Sequence, residues 1–426
     1  MEQQAIMAIG IFLLIYGFII AEKIHRTIVA MIGGVLMVTL GIVDQETAVH
    51  HIDFNTLGLL IGMMIIVNVT AETGVFKYIA VYSAKKAKGD PIRILISLFL
   101  ITAFASAFLD NVTTVLLMVP VTFSITRQLK VNPFPFLFSQ ILASNIGGTA
   151  TLIGDPPNIM IGSAVKELTF MAFINNLAPI VIIILIVHIP IFVLLFRNHL
   201  RTTPELKQSI MQFNEKEIIT DRKLLTKSLF IIGLTILGFF LHQMLNLESA
   251  TVALTGAFLL LLLTGEHSME KAISKVEWTT IFFFIGLFVA VSGLAETGVI
   301  SKIAEQALQW TGGDLVATSM LIIWLSAIAS AFIDNIPFVA AMIPMIQEMG
   351  NLGVVDLEPL WWSLSLGACL GGNGTLIGAS ANLIVAGLAE KEGYPIRFFQ
   401  FFKYGFLLML LSVILASIYV YLRYLL

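Results

Sequence analysis

Long apolar runs recur at 5–21, 27–43, 54–70, 173–196, 226–245, 249–264, 277–294 and 398–422. Each is about as long as a helix needs to cross a bilayer core, roughly 17–25 residues. Between the third and fourth runs, and again between the seventh and eighth, the pattern changes. The apolar stretches there are shorter and broken by Gly, Pro, Asp and Asn. They fall at 91–109, 112–129, 133–149 and 157–165, then at 315–333, 336–349, 359–374 and 381–389. One polar stretch, 197–227, with Arg197, Arg201, Lys207, Lys216, Arg222, Lys223 and Lys227, separates the halves and reads as a cytoplasmic linker. The pattern predicts an all-α polytopic membrane protein.

The halves repeat at a single offset of 224 residues, as from Ala71 to Ala295. Ala71-Glu72-Thr73-Gly74-Val75 recurs as Ala295-Glu296-Thr297-Gly298-Val299, and Ala105-Ser106-Ala107-Phe108 as Ala329-Ser330-Ala331-Phe332. Asp110-Asn111 recurs as Asp334-Asn335, Pro120 as Pro344, and Gly147-Gly148 as Gly371-Gly372. Thr151-Leu152-Ile153-Gly154 recurs as Thr375-Leu376-Ile377-Gly378, and Asn158 as Asn382. Chance does not hold one register across so many polar matches, so the chain carries an internal repeat.

Charge supplies an orientation. With the N-terminus outside, all Lys and Arg except Lys166, Lys302 and Arg423 fall on the cytoplasmic side, the bias that cytoplasmic loops carry. Loops 43–53 and 347–359 hold carboxylates and no Lys or Arg, which suits the outside. Run 54–70 then points inward and its mate 278–294 outward, so two inverted-topology repeats are expected. The first is 1–200, with scaffold helices in 1–70, a re-entrant hairpin and broken helix in 91–165, and a helix at 173–196. The second is 228–426, with scaffold helices in 228–294, hairpin and broken helix in 315–389, and a helix at 398–422. Both termini are expected outside, in the cell inner (plasma) membrane, with the first helix retained because Met1-Glu2-Gln3-Gln4 lacks a basic leader pattern.

Composition narrows the class. Of 426 residues 58% are apolar and 12% charged, against about 25% charged in soluble domains, and mean hydropathy is +0.94. A soluble enzyme is excluded. Net charge −3 offers no basic excess for nucleic acid. The single cysteine, Cys369, excludes an intramolecular disulfide or a Cys-rich metal site. No resident cofactor is expected, and the lipid bilayer is the first partner.

Two constellations carry the chemistry. Asp110 and Asn111 lie at a break between short apolar helices, followed by Thr113 and Thr114, and Asp334 and Asn335 repeat the arrangement. Such a break suits a hairpin tip that lines a cavity, where an ionised carboxylate is a functional hypothesis by default. Helix capping by each Asp is the plainer reading, and both can hold together. The second constellation runs from Asn145 through Gly148, Thr149, Thr151, Gly154 and Asp155 to Asn158. Its mate holds Asn373, Thr375, Gly378, Ser380 and Asn382. Gly and Pro this dense interrupt a helix, freeing carbonyls, amides and hydroxyls for an ion or polar solute. Close packing of small residues is the plainer alternative.

Each hairpin and break is expected to form one site, two in all. A possible transported or coupling Na⁺ is placed at Asp110, Asn111, Asp334 and Asn335, or H⁺ at the carboxylates. The first half is the more acidic and hydroxylic: Asp155 faces Ala379 in the alignment, Thr149 faces Asn373, and Asn145 faces Cys369. Cys369 reads as a small packing residue, and His188 as structural rather than a proton relay. Glu72 and Glu296 close their helices and read as interfacial.

Phe108-Leu109-Asp110-Asn111-Val112-Thr113-Thr114-Val115, together with the segment from Asn145 to Asn158, resembles the ArsB/NhaD permeases, in particular the P-protein (pink-eyed dilution) type. These belong to the ion transporter superfamily, which also holds the divalent-anion/sodium symporters. The resemblance spans essentially the whole chain. It implies a scaffold, a mobile transport domain, elevator movement and a homodimer. The sodium-coupled symporters carry Ser-Asn-Thr at the tips, where this chain has Asp110-Asn111-Val112 and Asp334-Asn335-Ile336. That departure argues against dicarboxylate–sodium symport.

Three carboxylates, Asp110, Asp155 and Asp334, surround the expected site, and no Lys or Arg lies in either tip or break. A dianion would be repelled unless cations bound first or the acids were protonated. The expected function is an ion-coupled secondary transporter, a proton-coupled antiporter exporting Na⁺ or arsenite. An anion/dicarboxylate transporter of the same superfamily and an ion channel are the alternatives. An intramembrane aspartyl protease would carry Tyr-Asp and Gly-x-Gly-Asp, and Leu152-Ile153-Gly154-Asp155 fails that pattern.

Overall fold

A computed structural model describes residues 2–21, 23–212 and 218–426. Met1, Glu22 and the stretch 213–217 of the expected linker lie outside the described residues. Among the described residues there are 21 α-helices and no strands. In chain order they are α1 (Glu2–Ala21), α2 (Arg26–Thr39), α3 (Gln45–His50), α4 (Phe54–Ala71), α5 (Val75–Lys86), α6 (Pro91–Ser106), α7 (Asn111–Leu129), α8 (Phe134–Gly148), α9 (Pro156–Ala164), α10 (Phe170–Phe196) and α11 (Pro204–Ile210). There follow α12 (Arg222–Leu241), α13 (Ser249–Thr264), α14 (Glu266–Ser274), α15 (Trp278–Glu296), α16 (Val299–Thr311), α17 (Leu315–Phe332), α18 (Asn335–Asn351), α19 (Glu358–Gly371), α20 (Ser380–Lys391) and α21 (Phe398–Val420). Eight of the helices are long and apolar enough to span a bilayer. The protein is a multi-pass membrane protein.

Helices α1–α10 have counterparts α12–α21 near the 224-residue offset, and α11 alone stands between. The repeated residues do the same local work in each half. Asp90 and Asp314 are both N-caps, accepting from Arg93 N at 3.2 Å and Ala317 N at 2.7 Å. Gly74 and Gly298 sit at φ +80° and +73°, where a Cβ is disfavoured, and turn the chain from α4 into α5 and from α15 into α16. That is why Ala-Glu-Thr-Gly-Val recurs.

Three expected boundaries move. Helix α12 begins at Arg222, inside the expected linker, because Asp221 Oδ1 accepts from Lys223 N and Leu224 N and so caps a charged first turn. The run 27–43 stops as a helix at Thr39, since Gly41 adopts φ +67°. The first hairpin arm, α6, stops at Ser106, short of the expected 109. Helix α7, with 19 residues, is about 28 Å long at 1.5 Å per residue. What marks the hairpin is its connection, four residues (107–110) between α6 and α7. Helices α3, α5, α11, α14 and α16 were not expected: they are short or amphipathic, and a search for long apolar runs passes over them.

Packing sorts the helices into two groups. In the first, α2 lies on α15 and α4 on α13, crossing between halves, with α1 and α12 alongside. Small residues permit the approach: a Cβ on Gly286 would meet the backbone of Ala30 and Met31 at 2.5 Å, and one on Gly62 would meet that of Ala253 at 2.6 Å. In the second group, α6 packs on α8 and α17 on α19, while α9 packs on α18 and α20 on α7. The helix that follows each break therefore leans on the hairpin of the other half.

Helices α4 and α15 run antiparallel. Asn68 and Glu72 near the end of α4 meet Lys275 before α15, at 3.1 and 2.8 Å. His51 before α4 lies 3.6 Å from Glu296 at the end of α15. Between α10 and α21, buried His188 places Nε2 3.4 Å from Ser412 Oγ. Its Nδ1 lies 2.8 Å from Ile184 O, a structural setting. The linker helix α11 docks on α7, and Lys207 pairs with Asp90 at 2.8 Å.

Candidate functional site

Each hairpin tip is an N-cap. Asp110 Oδ1 accepts from Thr113 N at 2.9 Å and Oδ2 from Thr113 Oγ1 at 2.5 Å. Asp334 Oδ1 accepts from Ile336 N at 3.1 Å. The capping reading is therefore correct for both residues, and the caps point Asn111 and Asn335, the first residues of α7 and α18, into the protein.

The helix breaks, 149–155 and 372–379, fold back on themselves and onto the hairpins. A Cβ on Gly148 would sit 2.5 Å from Gly154 O, and one on Gly378 2.8 Å from Gly372 O, so only glycine fits. Ser106 Oγ donates to Ser144 O at 2.7 Å and Ser330 Oγ to Ala368 O at 2.6 Å, repeating the tie in each half. Thr151 Oγ1 donates to Ala107 O, and Thr375 Oγ1 to Ala331 O at 2.5 Å. Freed carbonyls were expected to face an ion. Instead, Asn158 Nδ2 donates to Thr149 O and Thr151 O at 3.1 and 2.9 Å, and Asn382 Nδ2 to Gly372 O and Thr375 O at 2.7 and 2.8 Å. A buried carbonyl away from water needs a donor, and a side-chain amide supplies it within the break.

Two separate sites were expected, but the structure joins them. Asn111 Nδ2 donates to Asp155 Oδ1 at 3.3 Å and to Asn145 Oδ1 at 3.2 Å. Asn335 Nδ2, from the other half, reaches the same Asp155 Oδ1 at 3.5 Å. Asn145 Nδ2 donates to Asn373 Oδ1 and Asn382 Oδ1, both at 3.0 Å. Ser365 Oγ donates to Asn158 Oδ1 at 2.6 Å. Cys369 is buried, with its thiol 3.6 Å from Asn158 Oδ1. One continuous polar network thus runs through both breaks and both tips, with Asp155 and Asn145 at its centre. Three of its atoms, Asp155 Oδ2, Thr114 Oγ1 and Asn373 Nδ2, are buried with no hydrogen-bond partner.

Beside Asp155 lies a small cavity of about 20 Å³ lined by Asp110, Asn111, Asn335 and Ser380, and also by Arg26, Glu277 and Thr280, which sequence reasoning missed. A space this size holds about one water or one bare small ion. Arg26 Nη1 stands 2.6 Å from Asp334 Oδ2 and 2.6 Å from Ser380 Oγ, with its guanidinium 4.9 Å over the Phe283 ring. This corrects the expectation of a site without Lys or Arg: neither tip nor break supplies one, but α2 does. A guanidinium stands where Na⁺ was expected at Asp334. Glu277 Oε2 accepts from Thr280 Oγ1 at 3.2 Å at the start of α15. The signal for Arg26 was a lone Arg opening an apolar run. Glu277 carried no local signal.

Of the expected residues, Asp110, Asn111, Asp155, Asn335 and Ser380 line the cavity. Asn145, Asn158, Asn373 and Asn382 form the supporting network. Thr113 caps, and Thr149 Oγ1 donates to Asn145 O at 2.8 Å. Thr151, Thr375, Gly148, Gly154 and Gly378 shape the breaks. Asp334 lies on the far side of Arg26, with Ile19, His25 and Leu383 around it.

The family profile described as citrate transporter (CitMHS) matches residues 16–367. The chain belongs to the citrate transporter family. It is 42% identical to the uncharacterized transporter Rv2684 of Mycobacterium tuberculosis, over 99% of each chain. It is 40% identical to a 46 kDa membrane protein of Mycobacterium leprae, again over 99% of each. It is 35% identical to the P protein of Homo sapiens over 98% of this chain and 60% of that one. In fold it is similar to the YdaH transporter of Alcanivorax borkumensis, with a TM-score of 0.57, 12% identity, and coverage of 98% of this chain and 97% of that chain. The citrate transporter family member is a transporter and not an enzyme, in a family whose description and whose relative Rv2684 both carry the name transporter.

Proposed function

We propose that this member of the citrate transporter family is a secondary transporter that moves a small cation or neutral solute in exchange for protons, with Na⁺ the first cargo to test and undissociated arsenite the second. The observation that carries the reading is the charge around the cavity. Asp110, Asp155 and Glu277 line it against one guanidinium, Arg26, which is itself already paired with Asp334 behind it, and Asp155 keeps one carboxylate oxygen without a partner. Hard cations prefer such oxygens. The ArsB/NhaD likeness of the tips supports the same cargo class.

The proposed movement is an elevator stroke between inverted repeats. The second helix group carries the joined site against the first, and the linker lies in the cytoplasm of a cell-membrane protein. Support comes from the antiparallel mates α4 and α15, the one-sided Lys/Arg distribution, and the division of the helices into two packed groups. Dimerisation, implied by the motif resemblance, belongs to the same proposal and is checked by native mass spectrometry.

Arg26 favours a second reading, a carboxylate anion accompanied by a cation, in keeping with the family's description. The test uses purified protein in sealed liposomes with an imposed proton gradient and an internal pH dye. Na⁺, Li⁺, K⁺, arsenite, a dicarboxylate and citrate are added singly. Na⁺ or Li⁺ should collapse the gradient with wild type and fail to do so with the Asp110→Asn/Asp334→Asn double variant. Normal transport by that variant removes the coupling role. Response to citrate alone replaces the cation reading with the second, and a steady ionic current far above a carrier's turnover makes the protein a channel.

A further inference from the structure

The site's guanidinium is not repeated. At the 224-residue offset the counterpart of Arg26 is Ala250, while the counterpart of its partner Asp334 is Asp110. Among the described residues the ion pair is made with the Asp334 tip, while Arg26 only borders the cavity that Asp110 lines. Arg26 Nη1 lies 2.6 Å from Asp334 Oδ2 and 2.6 Å from Ser380 Oγ, and Ser380 Oγ donates to the same Asp334 oxygen at 2.7 Å. Phe283 packs beneath the guanidinium. Arg26 belongs to α2 in the first group, and Asp334 and Ser380 open α18 and α20 in the second, so the ion pair crosses the boundary between the groups.

A second contact crosses that boundary elsewhere. Ser163 Oγ on α9 donates to Asp53 Oδ1 at 2.8 Å and accepts from Asn55 Nδ2 at 3.0 Å. The counterparts of Ser163, Asp53 and Asn55 are Gly387, Glu277 and Thr279. A Cβ on Gly387 would meet nothing within 4 Å, and Thr279 is exposed. The two ends of the boundary are thus unequal, bridged by hydrogen bonds at Ser163, beside a cleft of about 570 Å³, and unbridged at Gly387. The bridged end and the Arg26 pair tie the same two groups.

We propose that Arg26 is a tethered counter-cation: it occupies Asp334 in this conformation, and the transported or coupling cation must displace it. The inference rests on the reading that the site takes a cation. A bound cation and a guanidinium on one carboxylate oxygen exclude each other, because like charges repel at that range. A movement that opens the Ser163 contact also draws Asp334 away from Arg26. Arg26 therefore weakens cation binding and holds the carrier in the state bridged at Ser163, and Ala250 does nothing equivalent for the opposite state.

The test uses the full chain in liposomes, as wild type, Arg26→Gln and Arg26→Lys. Two cysteine pairs, Asn55→Cys with Ser163→Cys and Thr279→Cys with Gly387→Cys, are treated with a short bifunctional thiol reagent in Na⁺-free buffer, with buried Cys369 left in place. Arg26→Gln should lower cross-linking of the first pair and raise that of the second, and Arg26→Lys should retain the wild-type ratio. Binding of radioactive Na⁺ should tighten ~10-fold in Arg26→Gln, a coupling of ordinary size for competing interactions. If Arg26→Gln does not fold, Ser380→Ala, which removes one support of the pair, should shift both readouts in the same direction more weakly. Unchanged cross-links, or unchanged Na⁺ affinity in a protein that binds Na⁺, overturn the proposal. If wild type binds no Na⁺, the cation reading itself falls, and the ligand-free cross-links alone decide whether Arg26 sets the conformation.

Discussion

Asn145→Ala separates a ligand role from a structural one. The Asn145 side chain joins the two breaks, with Nδ2 3.0 Å from both Asn373 Oδ1 and Asn382 Oδ1 and with Oδ1 accepting from Asn111 Nδ2 at 3.2 Å. Truncation leaves Asn111 its bond to Asp155 but strips the two carbonyl oxygens of Asn373 and Asn382 of this donor. An orphaned buried acceptor costs about 1–3 kcal/mol, so the loss is about 2–6 kcal/mol. A water filling the vacated space brings it toward the lower end. In a chain of this length about 1 kcal/mol moves the melting temperature by no more than ~2 °C, so a fall of up to ~4 °C is expected at that lower end. Melting is followed by intrinsic fluorescence in one detergent at one scan rate, because unfolding here is read as a rate. Asn373→Ala and the double variant complete a cycle. If the residues are partners, the double loses less than the sum of the singles by ~1 kcal/mol. A wild-type melting temperature for Asn145→Ala, or strictly additive singles, refutes the joint.

Gly147→Ala places a Cβ against the backbone carbonyl of Ala103, and Gly371→Ala one 2.5 Å from that of Ala327. Backbone cannot swing aside, so each variant should lose its monodisperse peak in fluorescence size exclusion, while Gly17→Ala, with nothing within 4 Å, should keep it. Outside the membrane, burial pushes the Asp90 carboxyl up, but the Lys207 hydrogen bond and the Arg93 amide outweigh it and hold the group below its ordinary value. A lowered folded value means stability that is full above the unfolded value of about 4 and lost as pH falls through the folded one. Amide hydrogen-exchange protection in 204–212 should therefore fall below about pH 4, after allowance for the intrinsic exchange rate, and Asp90→Asn should show the lower protection already at pH 7. The gain is modest because the pair is partly exposed.

The repeat, the hairpins and the breaks were legible because each rests on local chemistry that sequence displays: a Gly that must turn, an Asp that must cap, an apolar run that must stop. The joining of the halves was not legible. It depends on α9 leaning on α18 and α20 on α7, and no local pattern states which hairpin a later helix will meet. Arg26 and Glu277 were missed for the same reason, since each sits far in sequence from the motifs it faces. Asn158 and Asn382 were singled out for their recurrence as ion or solute ligands. Their amides also satisfy the break's own carbonyls, a repeated local need that the sequence does not display. The amphipathic helices α5 and α16 were overlooked because the reading looked for lengths that span.

His188 and Ser412 stand 224 positions apart in the chain and touch. A position that meets its own counterpart lies on the axis relating the two halves. Were the halves two identical chains, that position would face itself, and whatever residue stood there would have to tolerate its own copy. A donor and an acceptor of different kinds, imidazole against hydroxyl, become available only once a single chain encodes both sides. The contact between α10 and α21 therefore uses a freedom open to one chain that encodes both halves: each half can specialise where two identical copies could not, and the pairing of Arg26 with Ala250 across the offset uses the same freedom elsewhere.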